Sequence, residues 1–254
     1  MNKDIVIIAD TQVDGTSPTD HLRALSLYIW KHKPKHIIHI GDHWDFPSLS
    51  TYASMFEREN SRLLSDLQGG DTAFKLIMEE TDKQNAKRKK QYSPTLDFTM
   101  GNHEYRLKRY IENNPILEGC FDVGSFVKGE GWNVHPYLVP FWLEGICFMH
   151  FMPNAASGRA VGGGIENKLN KFPHSFVHGH QQQFQFGRRQ NLEGRPHFGI
   201  CAGSFYMHDE AYRGACNTEI RGFVHLKSFQ NRYGFADHDA EFVSLERLLI
   251  EYGK

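Results

Sequence analysis

The chain has 254 residues, 40% hydrophobic and 13% aromatic, which is ample for a large core and excludes a disordered polypeptide. A formal net charge of -1 excludes the broad basic field that holds duplex DNA nonspecifically and leaves only a local patch for such a role. Fifteen histidines are more than a chain of this length ordinarily carries, and histidine is the commonest metal ligand.

The N-terminal MNKDIVIIADTQ runs straight into a strand pattern. Its apolar stretch is too short for a signal peptide or a membrane span, so the expectation is a cytoplasmic protein with no membrane partner. Residues 4–9, DIVIIA, read as a strand buried on both faces and end at Asp10. After a polar turn, HLRALSLYIWKHK places Leu22, Leu25, Tyr28 and Ile29 at helical spacing, with Thr19 or Asp20 as cap and Pro34 beyond its end. HIIHI at 36–40 is a second buried strand, ending in GDHWD. Strand, helix and strand within about 40 residues make a βαβ unit with parallel strands and a right-handed crossover.

Residues 46–95 read as mostly helical and polar. One piece centres on Tyr52 to Leu67. After Gly69-Gly70, Asp71 caps a long helix with Phe74, Ile77 and Met78 on one face, ending in KRKKQ. The basic run Lys83, Lys87, Arg88, Lys89 and Lys90 is either a solvated helix end, where cations suit the dipole, or a polyanion contact. TLDFTM is a third strand, ending in GNHE, and RLKRYIENNPIL returns to helix. From Trp132 onward short β-rich runs follow: WNVHPYLVP, GICFMHF, HSFVHGH, FQFGRRQ, RPHFGICAG, RGFVHLKSF and EFVSLERLLIEY. Alternating strand and helix followed by strands predicts two sheets packed together with helices outside. Cys120, Cys147, Cys201 and Cys216 are widely separated and form no C-x-x-C pair, so they read as buried thiols.

Five apolar strands end in side chains of metal-binding type: Asp10 and Gln12, Asp42, Asn102 and His103, His150, and His178, His180 and Gln182. One such end is ordinary turn chemistry. Five together point to a site at strand carboxyl ends, where open α/β sheets bind ligands.

The order D-x-[HQ], GDxxD, GNHE, a lone His after a strand and then GHxx resembles the calcineurin-like metallophosphoesterases, over Asp10 to Gln182. The resemblance implies an α/β fold, a four-layer αββα sandwich of two mixed sheets with helices on the outer faces. It implies a single domain over 1–254, with a mostly helical insertion at about 46–95. It implies a divalent-metal-dependent phosphoester hydrolase holding two metal ions. Asp42 would bridge the ions, Asp10 would bind the first, and Asn102, His150 and His180 the second. His103 would act on the substrate phosphate and its leaving oxygen, oriented by Asp45. The family has His where this chain has Gln12 and Gln182. Both changes fall on the first site, which would then be weak but working, filled only with substrate bound, or lost, because amide oxygen is a harder, poorer ligand than imidazole. Mn²⁺ is the expected ion, with Mg²⁺, Fe²⁺ or Zn²⁺ as alternatives.

Around this set, Arg106, His43 and Arg159 are candidate substrate contacts. Arg106 and His43 lie beside the motifs, and Arg159 lies in the glycine-rich NAASGRAVGGG. His39 reads as a satisfied structural histidine. Tyr206, His208 and Tyr212 line a pocket wall, pack in the core, or lie on a surface loop. The expected partner is a small phosphoester, monoester or diester, or a short nucleic acid. The rival readings are a nuclease of the same family and a binding module that keeps the fold without turnover.

Overall fold

The computed structural model describes residues 3–50, 62–209 and 218–253. Tyr212, Cys216 and the first part of the helix expected from Tyr52 lie outside the described residues. Two mixed sheets form the centre. The first has the order β11-β10-β1-β2-β3-β4 and the second β5-β6-β7-β9-β8. The first comprises β1 (Ile5–Ile8), β2 (His36–His39), β3 (Thr95–Thr99), β4 (Asn133–His135), β10 (Gly222–Gln230) and β11 (Ala236–Ser244). The second comprises β5 (Phe141–Leu143), β6 (Ile146–Met149), β7 (Ser175–His178), β8 (Phe184–Gln190) and β9 (Pro196–Ala202). Strands β1 to β4 run parallel, as do β6, β7 and β9, while β10, β11, β5 and β8 pair antiparallel.

Alternation within the apolar runs builds the layers. Ile5 and Ile7 of β1 join Ile38, Phe148, Val177, Ile200 and Leu226 in a core between the sheets. Val6 and Ile8, one residue out of phase, pack outward with Leu22, Leu25, Ile29 and Phe74 beneath the helices. The runs read as continuous because both faces are covered. The covering helices are α1 (Asp20–His32), α2 (Leu63–Leu76), α3 (Glu79–Asn85), α4 (Asn102–Asn113), α5 (Val123–Gly129), α6 (Ile165–Lys171) and α7 (Leu245–Tyr252). A smaller cluster, with Ile165 and Leu169 of α6 on Met149 and Phe176, seals the outer face of the second sheet. The architecture is the four-layer αββα sandwich. Among the described residues no helix is long and apolar enough to cross a membrane.

Three local expectations are corrected. Gly69-Gly70 does not break the chain: α2 runs through both. A Cβ on Gly70 would stand 2.0 Å from the Trp44 ring, so glycine there serves close packing. The helical stretch ends at Asn85, leaving Lys87 to Lys90 beyond it. Finally, EFVSLERLLIEY divides: β11 ends at Ser244, whose hydroxyl accepts the Arg247 N–H and starts α7.

Candidate metal centre

The carboxyl ends of β1, β2, β3, β6 and β7 converge between the two sheets. Asp42, His150 and His180 each offer one ligand atom, and these atoms lie within 4.8 Å of one another. Two hydrogen bonds lock the sheets together here: His150 Nδ1 lies 2.8 Å from the Ile40 carbonyl, and His180 N–H donates to Asp10 Oδ2 at 2.9 Å; within the second sheet, Gly179 N–H donates to the His150 carbonyl at 2.9 Å. Asp10, Gln12, Asp42, His180 and Gln182 all hold left-handed backbone, with φ between 41° and 67°. Non-glycine residues there cost roughly 1–3 kcal/mol each and concentrate at functional sites. Gly41, at φ 89°, makes the close approach required at the end of β2, where a Cβ would meet the Gly101 nitrogen at 2.5 Å.

Asp42 is fully buried. Burial would raise its pKa, but His103 and His150 outweigh it and hold the carboxyl well below the usual range. His150 Nε2 faces Asp42 Oδ2 at 3.1 Å and Asn102 Oδ1 at 2.8 Å. Burial disfavours the charged ring, yet Asp42 pushes His150 up to about 9. His180 goes the other way, down to about 4, through burial and then the neighbouring His150. Its ring stands 5.3 Å from that of His150 and 5.0 Å from that of Phe151.

Asp10 Oδ1 and Gln12 Oε1 are buried and have no hydrogen-bond partner among the described residues. Burial pushes the Asp10 carboxyl up to about 7, with Asp42 adding to it. A buried oxygen without a protein partner is met by a water or a cation, and Asp10 and Gln12 bring two such oxygens to one site. A set of oxygen donors of this kind suits Mn²⁺ or Mg²⁺ better than Zn²⁺. Tyr206, fully buried and not on a surface loop, donates its hydroxyl to Gln182 Oε1 at 3.2 Å. The residues present therefore fit divalent metal.

His103 is gripped from two sides. Its Nδ1 lies 3.0 Å from Asp45 Oδ1 and 3.0 Å from the Asp45 carbonyl. Its Nε2 lies 3.6 Å from Asp42 Oδ2 and accepts from Arg106 Nη2 at 2.8 Å. Burial opposes the charged ring, but Asp42 and Asp45 outweigh burial and raise its pKa. Arg106 also donates through Nη1 to the Asp45 carbonyl at 3.0 Å, which places its guanidinium at the site and not in a surface ion pair.

His43 and Arg159 are placed elsewhere. His43 faces inward with Nε2–H on the Gly70 carbonyl at 3.0 Å and Nδ1 2.7 Å from Thr11 Oγ1. Thr11 Oγ1 lies 3.0 Å from His39 Nε2, and His39 Nδ1 accepts the Gly41 N–H. This chain satisfies both rings as neutral histidines and leaves neither for substrate. Arg159 is exposed in a loop closed by the Pro153–Ala160 bridge, and among the described residues no hydrogen bond or ion pair joins it to the site. His178 turns from the site, its Nδ1 on the Gly179 carbonyl.

The residue the motifs left without a role is Glu104. Its carboxylate accepts four backbone N–H groups, from Asp42 at 2.9 Å, His43 at 2.6 Å, Trp44 at 3.2 Å and Gly101 at 2.8 Å. It ties the loop after β2 to the start of α4. Glutamate three residues after the glycine that opens a helix was the available signal. Lys168 is a second such residue. Its buried Nζ donates to the Gly163 carbonyl at 2.9 Å and to Gln181 Oε1 at 2.7 Å, pinning the glycine-rich loop against the segment carrying His180.

In the order of its motifs the chain resembles the calcineurin-like metallophosphoesterases. No family model and no curated protein matches the chain. Solved structures do match it. Yfce, a phosphoesterase from E. coli, is 10% identical, with 95% of this chain and 99% of that one covered and a TM-score of 0.40. The calcineurin-like phosphoesterase YfkN from Bacillus subtilis is 11% identical, with 98% and 95% covered and a TM-score of 0.37. Vps29 from Chaetomium thermophilum is 9% identical, with 94% and 95% covered and a TM-score of 0.37. Within the metallophosphoesterase pattern, glutamine at positions 12 and 182 remains this chain's departure.

Proposed function

We propose that the protein is a divalent-metal-dependent phosphoester hydrolase of the metallophosphoesterase type, acting on a phosphodiester or phosphomonoester, with Mn²⁺ as its working ion. The observation that carries this is the buried Asp42, His150 and His180 cluster beside the unpartnered oxygens of Asp10 and Gln12. Asp42, Asn102, His150 and His180 would hold one ion, and Asp10, Gln12, Asp42 and Gln182 the other. Bound there, the metal supplies Lewis acidity toward a phosphoryl oxygen and a nucleophilic water at neutral pH.

The chain's own side chains do the rest. Asp45 fixes the His103 ring through Nδ1, so that Nε2 is the atom turned to the site. Arg106 donates to that same Nε2, so it must turn away before the nitrogen can serve the leaving oxygen. A phosphoryl oxygen is a stronger acceptor for a guanidinium than a neutral imidazole is, and draws Arg106 off as substrate arrives. Once Arg106 is drawn off, the His103 Nε2, made more basic by Asp42 and Asp45, takes a proton from solvent and passes it to the leaving oxygen.

The test is hydrolysis of bis-p-nitrophenyl phosphate and p-nitrophenyl phosphate with Mn²⁺, beside Asp42→Asn and His103→Ala. Turnover lost in both variants supports the reading. Equal inactivity of wild type and variants, on these esters and on a nucleotide panel, favours the binding module. Faster cleavage of single-stranded DNA than of small esters favours the nuclease.

A further inference from the structure

We propose that the cavity between α4, α5 and the end of β4 receives the organic group of the phosphoester, and that this group is a flat aromatic ring system; the inference rests on the phosphoesterase reading above. The cavity measures about 800 Å³. That lies within the roughly 300–1,000 Å³ of small-molecule sites. Met100, Leu107, Ile111, Phe121 and Val134 form an apolar part of its lining, beside the charged Lys108, Glu112, Asp122 and Lys128.

Two features join it to the metal centre. Glu104 lines the cavity and at the same time holds the Asp42 N–H at 2.9 Å, so the two spaces share a wall. Tyr137, also on the lining, stands edge-on to Phe151 at 5.9 Å, and the Phe151 ring lies 5.0 Å from that of the metal-ligand candidate His180. A group attached to a phosphate at the metals would follow the line of Phe151 and Tyr137 to reach the cavity.

The choice of an aromatic group follows from what it would meet. Tyr105 and Tyr137 stack with ring centroids 4.7 Å apart and planes inclined by 22°, offering a ready platform for a further ring. Met100 and Phe121 supply a polarisable thioether and a second aromatic face.

Calorimetric titration of the Mn²⁺-loaded protein with 2-naphthylmethylphosphonate and with methylphosphonate tests this. The two probes share the phosphonate and differ only in the ring. The naphthyl probe is expected to bind about tenfold tighter or more, given the apolar area it buries. Ile111→Trp fills the cavity and should bring the preference below about threefold by removing that area. Tyr137→Ala removes half of the stacked platform and gives the same comparison should the tryptophan variant fail to fold. A wild-type preference near unity, with methylphosphonate bound, overturns the cavity proposal and leaves the metal centre standing. An unchanged preference in the folded Ile111→Trp protein overturns it as well. Binding of neither phosphonate overturns both readings.

Discussion

Glu104→Gln exchanges one oxygen for an amide NH₂ and leaves the size unchanged. In the native protein each carboxylate oxygen accepts two backbone N–H groups: Oε1 takes those of His43 and Trp44, and Oε2 those of Asp42 and Gly101. Whichever way the amide turns, two buried N–H donors then face another donor. Each unsatisfied buried donor costs about 1–3 kcal/mol. Part is recovered, because burial and the nearby Asp42 charge already raise the Glu104 pKa, so a neutral group relieves some strain. The net loss should be about 2–3 kcal/mol, which lowers Tm by roughly 4–12 °C in a protein of this size. The loop after β2 carries Asp42, so Mn²⁺ affinity should also fall about tenfold or more, as for other supporting carboxylates. Thermal melts without metal and calorimetric Mn²⁺ titration read the two effects. A Tm within about 1 °C of wild type, with Mn²⁺ affinity unchanged within about twofold, would refute this account of Glu104.

Three further outcomes follow from the same geometry. Asp45→Ala frees the His103 ring and should lower kcat about 10- to 100-fold with KM little changed, the pattern of a group serving the transition state; a rise in KM alone would place Asp45 in substrate binding. Mn²⁺ at about 100 times its Kd should stabilise wild type by about 2.7 kcal/mol in thermal melts and leave Asp42→Asn unmoved. Burial holds His21 and His225 neutral, each down to about 4, so between about pH 6.5 and 4 the unfolded chain binds protons that the folded one refuses. Stability should therefore fall as pH drops through that window, by up to about 3 kcal/mol for each histidine. His225→Gln, which keeps a partner for the Tyr28 hydroxyl, should flatten the decline, and an equal slope in wild type and variant would contradict it.

The sandwich and the strand-end residues were legible because both follow from patterns local in sequence. Ile5–Ile8, His36–His39 and Thr95–Thr99 stop where Asp10, Asp42 and Asn102 begin, so a run of apolar residues points at each candidate ligand. What stayed hidden depends on distant partners. Glu104 works through backbone N–H groups about 60 residues earlier, which no spacing rule displays. Gly70 looks like a break until Trp44 is seen against it. His43 sits next to Asp42 in sequence, yet the Gly70 carbonyl and the Thr11 hydroxyl hold its ring inward. The last apolar run changes from strand to helix at Ser244, a switch set by one hydroxyl cap.

The central claim is that the cluster of Asp42, His150 and His180, with the oxygens of Asp10 and Gln12, is a divalent metal centre. Counting bound Mn²⁺ per chain at saturation tests it most directly, in wild type beside Asp42→Asn. The account predicts at least one ion per wild-type chain, rising toward two as the weaker oxygen-rich site fills, and loss of binding in the variant. Fewer than about 0.2 ions per wild-type chain would contradict it, since a buried cluster of these donors should give up its protons to the ion and fill at saturation.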